Sequence, residues 1–323
     1  MNCKPYIAGA LKQLEDEYNI QILFAADAGS RSYGWASVNS DFDVHVIYLR
    51  KPIYYITIQE KQKTIEKTYY IDIPRNLLTS VVAVDQPEQV NVEVNISAFD
   101  IKHALLLFSK TNPAIMHMLN SPVVYINKDE YFNSKLHELC TLNASRRTLC
   151  SSMMGIIKVN FNKYITTEAK STTPRTTIRL KAYLYIMHHL LFVHKIYKET
   201  VDLSPDQFEI VKVIKSGKLI EYKKRIIPYD TPFPNLEIIS LMNAAQPHLD
   251  IYKKMMNLLQ EKKKSTEQDP VVPRDRLLEL YFLLLYKKLN EFSYYLPRVP
   301  EISLDELDTL FHRVLNIDES IGQ

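Results

Sequence analysis

Cysteine is scarce in this chain of 323 residues: there are three, Cys3, Cys140 and Cys150. The number is odd and no C-x-x-C pair occurs, so neither a disulfide framework nor a zinc ribbon is encoded. A reducing, cytoplasmic setting is expected. Long apolar runs are missing as well. No stretch reaches the roughly 18 uncharged apolar residues that span a bilayer. The best candidate, residues 182–192, is interrupted by His188 and His189, so no membrane insertion is expected. The opening Met-Asn-Cys-Lys-Pro has no apolar core followed by small residues, and a secretory signal is not expected. Internal repeats and low-complexity tracts are lacking too. What remains is an ordinary globular composition, 46% hydrophobic and 24% charged, which excludes general disorder. The length suits about two domains.

Charge is nearly balanced overall, at +3, but unevenly spread. Between residues 141 and 200 ten basic residues face two acidic ones, Glu168 and Glu199. The ten include Arg146, Arg147, Lys158, Lys163, Lys170, Arg175, Arg179, Lys181, Lys195 and Lys198. Such an excess reads either as a phosphate-facing surface or as a solvated helix face.

Two kinds of pattern divide the chain, and the expected domains are 1–127 and 128–323. Residues 1–127 read as mixed α/β. Ile7, Leu11, Leu14 and Tyr18 recur at helical spacing. Residues 20–26, 42–48, 68–73 and 90–96 are strand-like, and Asp100 is placed to cap a helix over 101–110. Beyond residue 128 long helical patterns take over, at 151–165, 177–198, 236–245, 249–261, 274–292 and 304–315. Residues 262–273 are polar and proline-bounded, and read as a loop.

The segment that carries chemistry is Gly29-Ser30-Arg31-Ser32-Tyr33-Gly34, followed by Ser40-Asp41-Phe42-Asp43. A strand leads into Gly29, and Asp41 and Asp43 open the next one. Residues two apart on a strand point the same way, about 6.6 Å apart. Two such carboxylates can bridge a pair of divalent cations about 3.5–4 Å apart, and their hard oxygen donors suit Mg²⁺ or Mn²⁺. Gly29 permits close approach of a ligand. Ser30 adds a hydroxyl and an N–H at an expected helix start, a combination that can hold nucleotide phosphates. A Gly-Ser pair alone is usually a turn, and an Asp-x-Asp pair alone is usually surface chemistry. Their order and strand context make them specific together.

In these residues the chain resembles the polymerase-β nucleotidyltransferase superfamily, and most closely its RNA-ligase-associated, RlaP-type branch. Further matching segments are Phe99-Asp-Ile-Lys-His-Ala-Leu, Ser109-Lys-Thr-Asn-Pro and Leu119-Asn-Ser-Pro-Val-Val-Tyr. The likeness covers about residues 20–127 and continues faintly at Leu180-Lys-Ala-Tyr-Leu-Tyr. It implies an α+β fold, with a small mixed-sheet nucleotidyltransferase domain followed by a helical domain. It also implies transfer of a nucleoside monophosphate from an NTP or dNTP to a hydroxyl, with pyrophosphate released and two Mg²⁺ or Mn²⁺ ions used. The branch suggests an RNA end as acceptor. Other superfamily members make short oligonucleotides or attach the nucleotide to a protein hydroxyl such as that of Tyr, on a partner protein or on the chain itself. Gly29, Ser30, Arg31 and Ser40 become the nucleotide-binding candidates. Lys158, Lys163, Lys181 and Tyr183 join them, on helices the superfamily places beside the triphosphate.

One position departs from the branch. Its third carboxylate lies five residues before the helix-capping Asp100, and Asn95 stands there. Asparagine is neutral and cannot take the proton of an attacking hydroxyl. Three explanations compete: Glu93, two residues earlier on the same strand face, reaches the metal instead; the chain is an engineered Asp→Asn variant; or the enzyme is weakened and binds nucleotide or RNA. Asn91, Glu93 and Asn95 would look much the same on the solvent side of an edge strand. Among the remaining residues, His45 continues the Asp41/Asp43 face where the branch usually has Arg. Tyr33 and Trp35 suit either base stacking or the core. His188, His189 and His194 lack the partners of a four-ligand metal set.

Overall fold

The computed structural model describes residues 3–59, 61–78, 88–166, 176–201, 208–215, 218–225, 236–265, 270–296 and 302–316. The chain divides into two compact units, residues 1–139 with 302–323, and residues 140–301. The first therefore includes most of the helix that begins at residue 130 and takes back the end of the chain.

The first unit opens with helix α1 (Lys4–Tyr18), which buries Ile7, Ala10, Leu11 and Leu14 on one stripe. Strands β1 (Gln21–Asp27), β2 (Phe42–Leu49), β3 (Thr64–Pro74) and β4 (Gln89–Asp100) follow. Helices α2 (Ile101–Ser109) and α3 (Pro113–Leu119), strand β5 (Val124–Asn127) and helix α4 (Glu130–Asn143) come next. The five strands form one sheet in the order β3-β4-β2-β1-β5. Strands β2 and β4 run parallel, and the other pairs run antiparallel. Strand β4 is thus internal, covered by β3, which removes the reading of Asn91, Glu93 and Asn95 as an edge.

Period-two patterning explains the sheet's two faces. On β4, Val92, Val94, Ile96 and Ala98 are buried, while Glu93, Asn95, Ser97 and Phe99 alternate with them half-buried. The buried row joins Val44 and Val46 of β2 and the apolar stripe of α1 in one cluster. Each large aliphatic side chain there contributes about 1.5–3 kcal/mol by leaving water. The opposite row leaves the central strands polar where β2 begins. Asp100 caps α2, accepting the Lys102 N–H at 3.0 Å. Asn112 caps α3 in the same way through the Ala114 N–H, with Pro113 at the first helical position, where its missing N–H costs nothing.

The second unit is built on α5 (Arg146–Phe161), α6 (Leu180–Val201), α7 (Ile238–Ala245), α8 (Leu249–Lys264) and α9 (Arg276–Tyr295). Helix α6 is buried along most of its length, with Leu184, Ile186, Met187, Leu190 and Leu191 all in the core and its lysines toward the two ends, as a central helix requires. The helices are as expected, with ends shifted by a few residues. This part is not purely helical, however. Residues 177–179, read as the start of a helix, form strand β6 (Thr177–Arg179), paired with β9 (Val271–Pro273). Strands β7 (Phe208–Lys215) and β8 (Lys218–Arg225) make a second antiparallel pair. The final helix, α10 (Leu304–Val314), belongs to the first unit.

Candidate active site at the start of the central strands

Strand β1 ends at Asp27, and the next six residues turn back toward β2. Three backbone bonds shape the turn: Tyr33 N–H to Gly29 O at 3.2 Å, Gly34 N–H to Arg31 O at 3.2 Å, and Trp35 N–H to Ser30 O at 3.0 Å. Gly34 closes it at φ +81°, a conformation that glycine adopts without steric cost. This is a single coil, not the helix start expected from sequence. Ser30 therefore offers its own hydroxyl here, without a helix dipole behind it.

Sequence reasoning missed the residue that holds this turn. Asp27 is fully buried, and its Oδ1 accepts the N–H groups of Gly29 at 3.0 Å and Ser32 at 3.2 Å. Its Oδ2 accepts the Tyr125 hydroxyl at 3.0 Å. Burial pushes its carboxyl up to about 6, against the opposing pull of those hydrogen bonds and of Arg31. The signal was available: an Asp followed two residues later by Gly is the pattern of an Asx turn.

The Ala28 N–H donates to Asp43 O at 2.7 Å, which lays the turn against the start of β2. A β-carbon on Gly29 would meet the Asp43 β-carbon and carboxyl carbon at 2.8 Å, and a carboxylate oxygen closer still. The glycine is required because the Asp43 carboxylate occupies that space. Ser30 is 6% exposed, and among the described residues its Oγ has no hydrogen-bond partner. A buried hydroxyl left unpaired costs about 1–3 kcal/mol, and a phosphate oxygen would satisfy it.

Across the sheet, Asp43 pairs with Asn95 in the parallel β2–β4 ladder, and Asn95 pairs with Thr68 on β3. Asn95 therefore stands one strand, about 4.8 Å, from Asp43. Its Oδ1 accepts the Thr68 hydroxyl at 2.8 Å. Glu93 lies on the same face, opposite Tyr70 and one residue ahead of the first β2–β4 pair, Phe42–Val94. This sets it toward Asp41, which precedes β2 by one residue. Among the described residues no group of three or more His, Cys, Asp or Glu side chains is drawn together for a metal. Asp43 is paired across the ladder with the neutral Asn95, where the resemblance implies a third carboxylate.

Other candidates sit elsewhere. The Arg31 Nη2 donates to Ser40 O at 2.6 Å, and its guanidinium lies 3.6 Å from the Phe42 ring centroid. Burial lowers its pKa, offset by Asp27 and neighbouring groups. It braces the turn. Ser40 is buried, with its Oγ accepting the Ser37 N–H at 2.9 Å, and it shapes the approach to Asp41. His45 bonds the Ala114 backbone and meets Phe99 edge-on at 5.6 Å; burial lowers its pKa, leaving it a neutral packing residue. Tyr33 and Trp35 are buried with ring centroids 5.0 Å apart, lining the core.

In the second unit, Lys158 and Lys163 are exposed and Lys181 is half-buried. Tyr183 is buried, donating to Glu279 Oε1 at 2.6 Å and accepting the Asp275 N–H at 3.0 Å. Its hydroxyl is committed to joining α6 and α9. The basic excess is thinner than its count. Arg146 is buried, Arg147 donates to Leu296 O, Lys198 donates to Ala244 O, and Lys195 pairs with Glu199. Lys170 and Arg175 lie outside the described residues. His188 and His189 are buried, each bonding a backbone carbonyl, of Leu236 and Tyr185 respectively, as core histidines do.

The glycine-serine turn lies against Asp43, Asp41 stands just before β2, and Asn95 holds the third position on a later strand, in the motif order that the resemblance gave. The family model described as RlaP, RNA repair pathway DNA polymerase beta family, matches residues 3–227. The chain belongs to the RlaP family. It is a polymerase-β-like nucleotidyltransferase by family, with the α+β architecture described above. An uncharacterized protein, YcgL, of Bacillus subtilis (strain 168) is 25% identical over 210 residues, which is 64% of this chain and 68% of that protein. A nucleotidyltransferase-like protein from Exiguobacterium sibiricum 255-15 aligns over 97% of this chain and 81% of its own, at 11% identity and a TM-score of 0.27. Among the described residues no helix is long and apolar enough to cross a membrane.

Proposed function

We propose that this RlaP-family chain transfers a nucleoside monophosphate from an NTP or dNTP to a hydroxyl, most specifically the hydroxyl at an RNA end, and releases pyrophosphate. The observation that carries this reading is the fit of Asp43 against Gly29, with the unpartnered Ser30 hydroxyl beside it. Asp41 and Asp43 would hold Mg²⁺ or Mn²⁺. When bound, such ions acidify an attacking hydroxyl and neutralise triphosphate charge. The Ser30 hydroxyl binds a phosphate oxygen. Asp27 and Arg31 keep that donor in place, and the Thr68 hydroxyl fixes the Asn95 amide. Glu93 is the available carboxylate to accept the acceptor's proton. Exposed lysines of the helical unit suit a polyanionic acceptor, and three reduced, buried cysteines suit a cytoplasmic protein.

Incubation with each labelled NTP, Mg²⁺ or Mn²⁺, and either no acceptor, RNA or DNA tests the proposal. Label should join RNA, and Asp41→Ala with Asp43→Ala should abolish it. Undiminished incorporation by that double variant removes the mechanism. A second reading, a nucleotide or RNA binder with weak turnover, is favoured by the neutral Asn95 standing beside Asp43. Asn95→Asp decides between them. A large gain in pyrophosphate release marks the present chain as attenuated, whereas unchanged, substantial release assigns the third carboxylate to Glu93.

A further inference from the structure

The two parallel strands that carry Asp43 and Asn95 at one end frame a second hollow at the other. Strand β2 delivers Arg50 just past Leu49, and β4 delivers Asp100 opposite Tyr48. At the rise of a strand, Asp43 and Arg50 lie about 23 Å apart. A short turn at Pro52–Tyr55 brings Tyr54 and Tyr55 to the strand ends. The enclosed space is about 300 Å³, and its lining includes Arg50, Tyr54, Lys61, Lys63, Asp100 and Lys102. That volume is at the small end of the range for ligand sites.

Two features define what would fit. The first is charge: four cationic side chains face one carboxylate among the described lining residues. That carboxylate is already engaged, since Asp100 Oδ2 accepts the Tyr55 hydroxyl at 3.0 Å and Oδ1 accepts the Lys102 N–H. It also caps α2, so the positive field comes from side chains and not from open helix N–H groups. The second feature is a flat aromatic wall. The Tyr54 ring has Lys61 Nζ 5.6 Å and the Arg50 guanidinium 5.9 Å from its centroid. Among the described residues the Arg50 Nε has no acceptor, and its Nη2 reaches the Tyr48 hydroxyl only at 3.4 Å. The guanidinium is held by rings and retains donors for an anion. Cations interleaved with an aromatic face are how proteins hold a phosphate and its base together.

We propose that this hollow binds a nucleotide, with phosphate on Arg50, Lys61 and Lys63 and the base against Tyr54, at a site separate from Asp41 and Asp43. The nucleotide comes either from free solution or from a single strand, and the two are separable. AMP is titrated into the full-length protein by calorimetry, and a fluorescein-labelled ten-nucleotide oligoadenylate is followed by anisotropy at the same salt. Wild type is compared with Tyr54→Leu and with the pair Lys61→Gln, Lys63→Gln. Both lysines are exposed, so the fold survives that change, as circular dichroism should verify. Each variant should weaken binding about tenfold. Weakening of AMP as well as RNA assigns a free nucleotide, and weakening of RNA alone assigns a strand. Failure of wild type itself to bind either probe overturns the proposal. Unchanged binding in both pocket variants overturns it as well. So does weakening by the lysine changes without any effect of Tyr54→Leu, since a base would then not be recognised.

Discussion

Replacing Gly29 by alanine puts the geometry of the site to its most direct test. The new β-carbon would stand 2.8 Å from two carbons of Asp43, closer than real β-carbons approach. Asp43 cannot yield freely, because its backbone is paired to Asn95 on one side and its carbonyl accepts the Ala28 N–H on the other. Either the carboxylate turns away or the turn lifts off the strand, by something near 1 Å in both cases. Misplacement of that size costs about 100-fold in rate, equivalent to about 2.7 kcal/mol of transition-state stabilisation. Overpacking should lower stability by about 1–3 kcal/mol. The matched control is Gly155→Ala on α5, where nothing lies within 4 Å of the added atom. That change should raise stability by about 0.5–1 kcal/mol and leave transfer untouched. The assays are urea unfolding and incorporation of labelled nucleotide. Wild-type incorporation by Gly29→Ala would refute the argument that the turn and the D-x-D strand form one site.

Two further outcomes follow from buried polar groups. Asp27→Asn removes a carboxyl whose pKa is about 6 in the fold against 3.8 as a free group. The folded state holds that proton more tightly than the unfolded chain does, so this group's contribution to stability falls as pH rises from about 4 to about 6, by roughly 3 kcal/mol in all. Unfolding curves at pH 4, 5, 6 and 7 should show wild type losing ground to the Asn variant across that window; parallel curves would show the charge is not buried in this way. Tyr183→Phe strips the Asp275 N–H and Glu279 of one partner each and should cost about 1–3 kcal/mol. Because the hydroxyl works within the helical unit, the nucleotide KM should hold steady, and a large rise in KM would return Tyr183 to the nucleotide.

Much of the sheet was legible because burial imposes alternation. Val92, Val94 and Ile96 announced the inward row of β4, and thereby put Glu93 and Asn95 on the other. Asp100 announced the start of α2 through capping chemistry that acts within three residues. What could not be read is the order of the strands. The pairing of β4 with β2, parallel and inside β3, joins residues some fifty positions apart, and period-two patterning is blind to which strand lies next to which. The basic count over residues 141–200 misled for a related reason. Composition cannot tell an arginine that faces solvent from Arg146, which is buried, or from Arg147, which holds a carbonyl of its own unit.

The third-carboxylate position shows how sequence and structure inform each other here. From sequence, Asn95 was simply the wrong residue five places before a cap. The ladder adds that it faces Asp43 directly, and that its amide oxygen is already taken by Thr68. A neutral side chain held by a neighbouring hydroxyl is a stable substitute in packing and a poor one in charge. Restoring a carboxylate there would set three anionic groups on adjacent rungs, which raises affinity for a divalent ion but adds like-charge repulsion without one. Asn95→Asp should therefore be less stable than wild type in chelator and regain that loss as Mg²⁺ is added. If its unfolding midpoint is indifferent to Mg²⁺, the two central strands do not form a metal site at this end.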